Sequence, residues 1–446
     1  MTTASTKFTD EQRDWYEKAC AKIDAERLKQ LIFGLTNIHS PTGNEKQASQ
    51  FLVDYMKRAN FSAHYQAVSE SSGNCVGRIR GSGDGANLLL YAPIDVHLDG
   101  EEEIDVPWVG PRLRDDMIPQ AEIRGDTVIG LGASNPKSMI ATLTEAAHCV
   151  LEADIPLKGD VIVGSAGGGM PWVSEKRNHT GISSGVMHML SHGVTADMGV
   201  IFKPWCEVYY EHPGMAWFKI TVWGTMGYAG IPRGTPGFDS SIVPAAKLIL
   251  ELEEWLAAYP DRHISDQIKP EGWIAAVRSG WPDKPSFPGA ACEIYVDLRT
   301  NPDQTMAEVE AEFSQALREI IARNSDIKAD WEMYVSCQGS RTDPDHWVVQ
   351  SAIRSWEEIH QEKYTGAALM SGQTDAATIC QLGIPLVRIG YPYIGEKEMP
   401  EEFAEGLGGM GVAFVPDLID PCKQAIYIII DSCTRSGAEV GLKTNS

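Results

Sequence analysis

Apolar and polar positions along this chain fall into short β-like runs separated by long helical ones. Thr9 followed by Gln12 has the form of a capping box and predicts a helix through about Ile23. Further helices are predicted over about Ala25 to Ile38 and Asn44 to Ala59, with the turn-rich segment Ser40-Pro41-Thr42-Gly43-Asn44-Glu45 where they meet. The runs Cys75–Arg80, Asn87–Ile94, Thr127–Ile129, Asp160–Gly164 and Met198–Phe202 read as strands, with a helix from Pro136 to about Glu152 among them. This alternation predicts the α/β class, with a mixed, largely parallel sheet between helices.

The texture changes near Met215. Trp217–Trp223 reads as a strand with alternating faces, followed by a helix from about Val243 to Ala258 and strands at Trp273–Val277 and Ala291–Leu298. A second helix, about Thr305 to Arg323, puts Met306, Val309, Phe313, Leu317 and Ile320 on one face, and strand Asp330–Val335 closes the set. The order βαββαβ is the ferredoxin-like pattern. Beyond it, Trp347–Ile359 and Lys423–Thr434 read as helices and Gly383–Gly390 as a buried strand. A chain of 446 residues exceeds one ordinary core. The expected division is a catalytic domain of residues 1–213 and 337–446, interrupted by a ferredoxin-like lid and dimerisation domain of residues 214–336.

Composition narrows the function classes. Hydrophobic residues at 43% and charged residues at 22% describe a folded globular chain. A formal charge of -23 argues against nucleic acid or an anionic membrane as partner. Nine scattered cysteines without a C-x-x-C pair fit reduced thiols, and the polar N-terminus shows no apolar signal segment. The expectation is a cytoplasmic protein.

Five segments, in order, resemble motifs of the superfamily of dinuclear zinc aminoacylases and exopeptidases, which includes acetylornithine deacetylase, succinyl-diaminopimelate desuccinylase and glutamate carboxypeptidases. They are Ser40–Glu45, Tyr91–Val96, Gly130–Lys137, Asp297–Arg299 and Ser371-Gly372-Gln373-Thr374-Asp375-Ala376. The resemblance covers nearly the whole chain and implies that fold, a homodimer formed through the lid, and a small-molecule substrate. It also implies two zinc ions held by two His and three carboxylates, with a Glu as general base.

The residues at those positions are different ones. Pro93 stands where the first His belongs, and Asn135 where the bridging Asp belongs. Gly167-Gly168-Gly169-Met170-Pro171 replaces the tandem Glu, Lys203 replaces the next acid, and Leu407–Val412 holds no His. A lysine ammonium ~4 Å from a divalent ion is repelled by about 8 kcal/mol at an effective dielectric of about 20. The expectation is therefore that the di-zinc site is lost and no cofactor is used. Lys203, Asp95, Asn135 and Tyr228 are the candidate catalytic groups, Tyr228 standing where the family's lid His belongs. Arg299, Gln373, Thr374 and Asp375 are the candidate substrate-binding groups. Lys203 can pair with Asp95, bind a carboxylate, polarise a carbonyl or form a Schiff base.

Other constellations compete. Ser134 and Lys137 have Ser-x-x-Lys spacing at a predicted helix start, where Ser134 or Asn135 also suits the N-cap. His97-Leu98-Asp99 and the insertion residues Glu175, His179, His188 and His192 offer donors for a relocated metal site. The reading is a metal-independent hydrolase-like enzyme acting on a C–N bond of a small carboxylate-bearing amide, a lyase step fitting the same groups. The alternatives are a non-catalytic small-molecule-binding or regulatory protein, and a metallohydrolase with relocated ligands.

Overall fold

The computed structural model describes residues 7–172, 181–392, 403 and 408–442. They form two compact units: residues up to Tyr210 with Thr342–Ala367 and from Thr374 onward, and Glu211–Arg341 with Ala368–Gln373. The short segment 368–373 joins the second unit because Met370 bridges Ile268 and the Ser371 hydroxyl accepts the Glu271 N–H at 2.9 Å.

The first unit is built on a six-stranded sheet in the order Ser62–Ala67, Gly73–Ile79, Val161–Ser165, Leu88–Tyr91, Met198–Pro204, Leu386–Tyr391. The last four strands run parallel and the first two are antiparallel additions. Leu88–Tyr91 is buried on both faces, as a central parallel strand must be. Leu88 and Leu90 pack into a large core that includes residues of helices Met139–Glu152 and Ile419–Cys433, while Leu89 and Tyr91 face a smaller core with Val186, Ile201, Ala376 and Leu386. The capping box of Thr9 and Gln12 forms, starting helix Asp10–Cys20. Strand Ser62–Ala67, which the pattern did not signal, is polar and half exposed, so it lacks the apolar run that marks its neighbours.

The second unit carries a four-stranded antiparallel sheet in the order Gly272–Ser279, Ala291–Thr300, Gly214–Trp223, Ala329–Cys337. With helices Ile242–Arg262 and Met306–Arg323 it has the ferredoxin-like βαββαβ order. Ala291–Thr300 alternates inward and outward throughout, and Ile294, Val296 and Leu298 meet Leu252, Phe313 and Leu317 in one core. Among the described residues no helix is long and apolar enough to cross a membrane.

Candidate active site

Parallel strands present their C-terminal ends to one edge of a sheet, where α/β proteins place ligands. Here the segments leaving those ends are Ala92–Val96, Ala166–Met170 and the Lys203-Pro204 end of Met198–Pro204. Side chains alternate faces with period two. Tyr91, Lys203 and Arg388 therefore share the face of Ile201 and Leu386.

Three buried carboxylates converge there. The Asp95 Oδ2 accepts the Thr42 hydroxyl at 2.7 Å and the Met170 N–H at 2.9 Å, and its Oδ1 accepts the Gly169 N–H at 2.9 Å. Burial pushes Asp95 up to about 7, with the Glu45 charge adding to it and the Met170 and Thr42 donors opposing it. The Glu45 Oε1 accepts the N–H groups of Gly43 at 2.6 Å and Gly168 at 3.0 Å, and burial raises this carboxyl too. Asp375 accepts the Tyr91 hydroxyl at 2.5 Å and the Ser183 hydroxyl at 2.7 Å; burial raises it, against those two donors and Lys203. Ser183 and Ile182 both lie in the left-handed region, φ 65° and 64°, a conformation costing roughly 1–3 kcal/mol per residue that clusters at functional sites.

The glycine segment threads between these acids. A Cβ built on Gly169 would lie 2.7 Å from the Asp375 Oδ2, 2.7 Å from the Pro93 Cβ and 3.2 Å from the Asp95 Oδ1. Backbone thus fills the space between Pro93, Asp95 and Asp375, and supplies the donors that hold Asp95.

Two lysines enter the same cluster on different terms. Lys137 is fully buried and donates to the Ser40 hydroxyl and to the Ile94 carbonyl, the latter at 3.0 Å. Burial pulls it down to about 7, against Asp95 and Glu45. Lys203 is 8% exposed, and among the described residues no hydrogen bond or ion pair reaches its ammonium. Burial pulls it down to about 8, with Asp375 opposing this and Arg388 adding to it. The direct pairing of Lys203 with Asp95 considered from the sequence does not form; Asp95 is held by Thr42 and the glycine segment instead.

Of the sequence candidates, Asp95, Lys203 and Asp375 are brought together. Asn135 is not joined to them by any hydrogen bond among the described residues, and its buried Oδ1 has no partner there. Thr374 caps the turn into helix Ala376–Gln381, accepting the Ala376 N–H at 3.2 Å. Tyr228, Arg299 and Gln373 belong to the second unit: Tyr228 is exposed against Phe287, Arg299 pairs with Asp297 at 2.8 Å, and Gln373 contacts the Cys337 sulfur. Glu45, Tyr91 and Ser183 were given no site role by the sequence, and Lys137 only one as the partner of Ser134 in a Ser-x-x-Lys pair. Glu45 and Lys137 stood inside quoted motifs, whereas Ser183 carried no signal at all.

The competing constellations are resolved differently. Ser134 does not cap a helix or pair with Lys137; its hydroxyl lies 2.6 Å from the Tyr391 hydroxyl. His97 is neutralised by burial, which lowers it to about 4. His188 and His192 stack on each other at 3.8 Å, while Glu175 and His179 lie outside the described residues. All nine cysteines are free thiols.

No family model matches the chain. It is 25% identical, over 92% of its own length and 95% of the relative's, to the N-formyl-4-amino-5-aminomethyl-2-methylpyrimidine deformylase of Bacillus subtilis strain 168. Among solved structures it is similar to a tripeptidase from Staphylococcus aureus, with TM-score 0.66, 16% identity, and coverage of 92% of this chain and 98% of that one. It is likewise similar to an M20 family metallo-carboxypeptidase from Sulfolobus solfataricus, with TM-score 0.63, 14% identity, and coverage of 91% and 98%.

A metal centre implied by that fold has to find donors, and the side chains that converge here among the described residues do not fit one. Asp95 and Asp375 already accept five short hydrogen bonds between them, Gly169 backbone occupies the gap, and an ammonium stands in the cluster. Among the described residues no three His, Cys, Asp or Glu side chains are grouped to hold a metal ion. With its mixed α/β architecture and mostly parallel central sheet, the chain has the fold of the M20 metallopeptidases.

Proposed function

We propose that the protein is an amide-bond hydrolase for small molecules that works through a charged side-chain cluster rather than a di-zinc centre. The observation that carries this reading is Lys203, an ammonium without a hydrogen-bonded partner among the described residues, at the sheet edge where the fold places its chemistry. A fixed positive charge in a dry site stabilises the oxyanion that forms when water adds to an amide carbonyl. Asp95, pushed up to about 7, exchanges a proton near neutral pH and is the group to take one from that water. The buried Asn135 Oδ1, without a partner among the described residues, is an acceptor for the substrate's N–H. Asp375, anchored by Tyr91 and Ser183, opposes the effect of burial on Lys203 and favours its charged form.

The Bacillus relative is named for removing a formyl group from a small aminopyrimidine, which supports N-formyl and N-acyl amines as the substrate class. The deciding experiment is turnover of a panel of such amides by protein dialysed against chelator. Retained turnover is expected; loss on chelation with recovery on adding zinc overturns the reading. The complete burial of Asp95 favours a second reading, a binding protein without turnover. Saturable ligand binding with no product across the panel would establish it.

A further inference from the structure

Three adjacent parallel strands define the surroundings of Lys203. Tyr91 and Arg388 both stand level with Ile201, one on each neighbouring strand. Lys203 projects from the same face, one side-chain step further along the middle strand. With steps of ~6.6 Å along a strand and ~4.8 Å between strands, it rises between the two. On one side is a phenol and carboxylate joined at 2.5 Å, Tyr91 and Asp375. On the other is the Arg388 guanidinium, 5.2 Å from the rings of both Trp205 and Tyr209. An amine held away from water beside a second cation gives up its proton more readily than a free lysine and becomes a nucleophile. Lys137 shows the opposite arrangement, with its ammonium tied to two acceptors.

We propose that Lys203 is a covalent nucleophile that condenses with a small aldehyde or 2-oxo acid to form an imine. The neutral Nζ lone pair attacks the carbonyl carbon, and the C–O π electrons move to oxygen. Oxygen gains a proton as nitrogen loses one, giving a carbinolamine. Nitrogen then expels the oxygen as water and forms the C=N bond, so that amine plus carbonyl yields imine plus water with no oxidant or reductant. Asp375 is the carboxylate whose charge acts most strongly on Lys203. The proposal shares Lys203 with the hydrolytic reading but needs no amide turnover, so the two stand or fall on separate measurements.

The test is reductive trapping of the full chain with glyoxylate and cyanoborohydride, followed by intact mass and peptide mapping. One adduct per chain is expected, on Lys203, formed at least ~10-fold faster than on any other lysine. Lys203→Arg removes that adduct while its unfolding transition stays cooperative. Labelling spread over surface lysines with Lys203 unmodified overturns the proposal. Mapping the unaltered chain decides the matter alone, so an Arg variant that fails to fold does not shield it. Failure to trap Lys203 in a protein that still hydrolyses amides removes the imine and leaves the hydrolytic reading standing.

Discussion

Lys137 and Lys203 are two buried lysines near the same acids, and they differ in what has been done with their charge. Lys137 spends its donors on Ser40 and Ile94, tying the first turn-rich segment to the strand end that leads to Asp95. Lys203 has a carboxylate in its field but no hydrogen-bonded partner among the described residues. Burying an ammonium without a partner costs free energy, and a fold concerned only with stability would pair it or replace it with an apolar side chain. The first lysine therefore reads as structure and the second as chemistry.

The strongest way to break this contrast is to remove each ammonium in turn. Lys203→Met is expected to lower kcat/KM for the best amide substrate by at least ~10³-fold, about 4 kcal/mol of transition-state stabilisation. The same change leaves stability unchanged or raises it by about 1–2 kcal/mol, because an unpaired buried charge is gone. Lys137→Met is expected to cost about 3 kcal/mol in urea unfolding, since the Ser40 hydroxyl and Ile94 carbonyl lose a buried donor. Equal stability losses in the two variants would erase the distinction.

Gly169→Ala sharpens the comparison from the side of the acids. Its new methyl would press on Asp375 and Pro93 at 2.7 Å, and a loss of about 2 kcal/mol is expected in the same unfolding assay. The smallest effects are in pH. Activity should rise through about 7 as Asp95 loses its proton and fall through about 8 as Lys203 loses its own. In stability the signs follow from proton counts. Folding lowers Lys203 from 10.5 to about 8, so the unfolded chain holds more protons between those values and stability from this group increases with pH there. Folding raises Asp95 from 3.8 to about 7, so its contribution decreases as pH climbs through that lower window. Lys137, lowered to about 7, adds a slope of the same sign, so unfolding measured at several pH values should show the upper slope in the unaltered chain and a shallower one in Lys203→Met.

Most of the architecture was legible because it is written in period and punctuation. The Thr9 capping box, the alternation of Ala291–Thr300 and the βαββαβ order are local patterns whose meaning does not depend on distant residues. Strand Ser62–Ala67 escaped notice because it lies at the sheet edge with polar side chains exposed. Asp95 and Lys203 were legible through motif position. Their partners were not, because Ser183 reaches Asp375 across 192 residues of sequence and Gly168–Met170 act through backbone N–H groups that have no side chain to read. The pairing of Lys203 with Asp95, one of the readings open from the sequence, does not form for the same reason. Sequence placed the two charges near one another but not the three donors that reached Asp95 first.

The glycine segment also sets a direction for change. With its Cα wedged against Pro93 and Asp375, position 169 admits no carboxylate, imidazole or even methyl side chain without displacing its neighbours. Placing a side chain there would require rerouting the loop itself, so change at this position runs through insertion or deletion and not through point mutation.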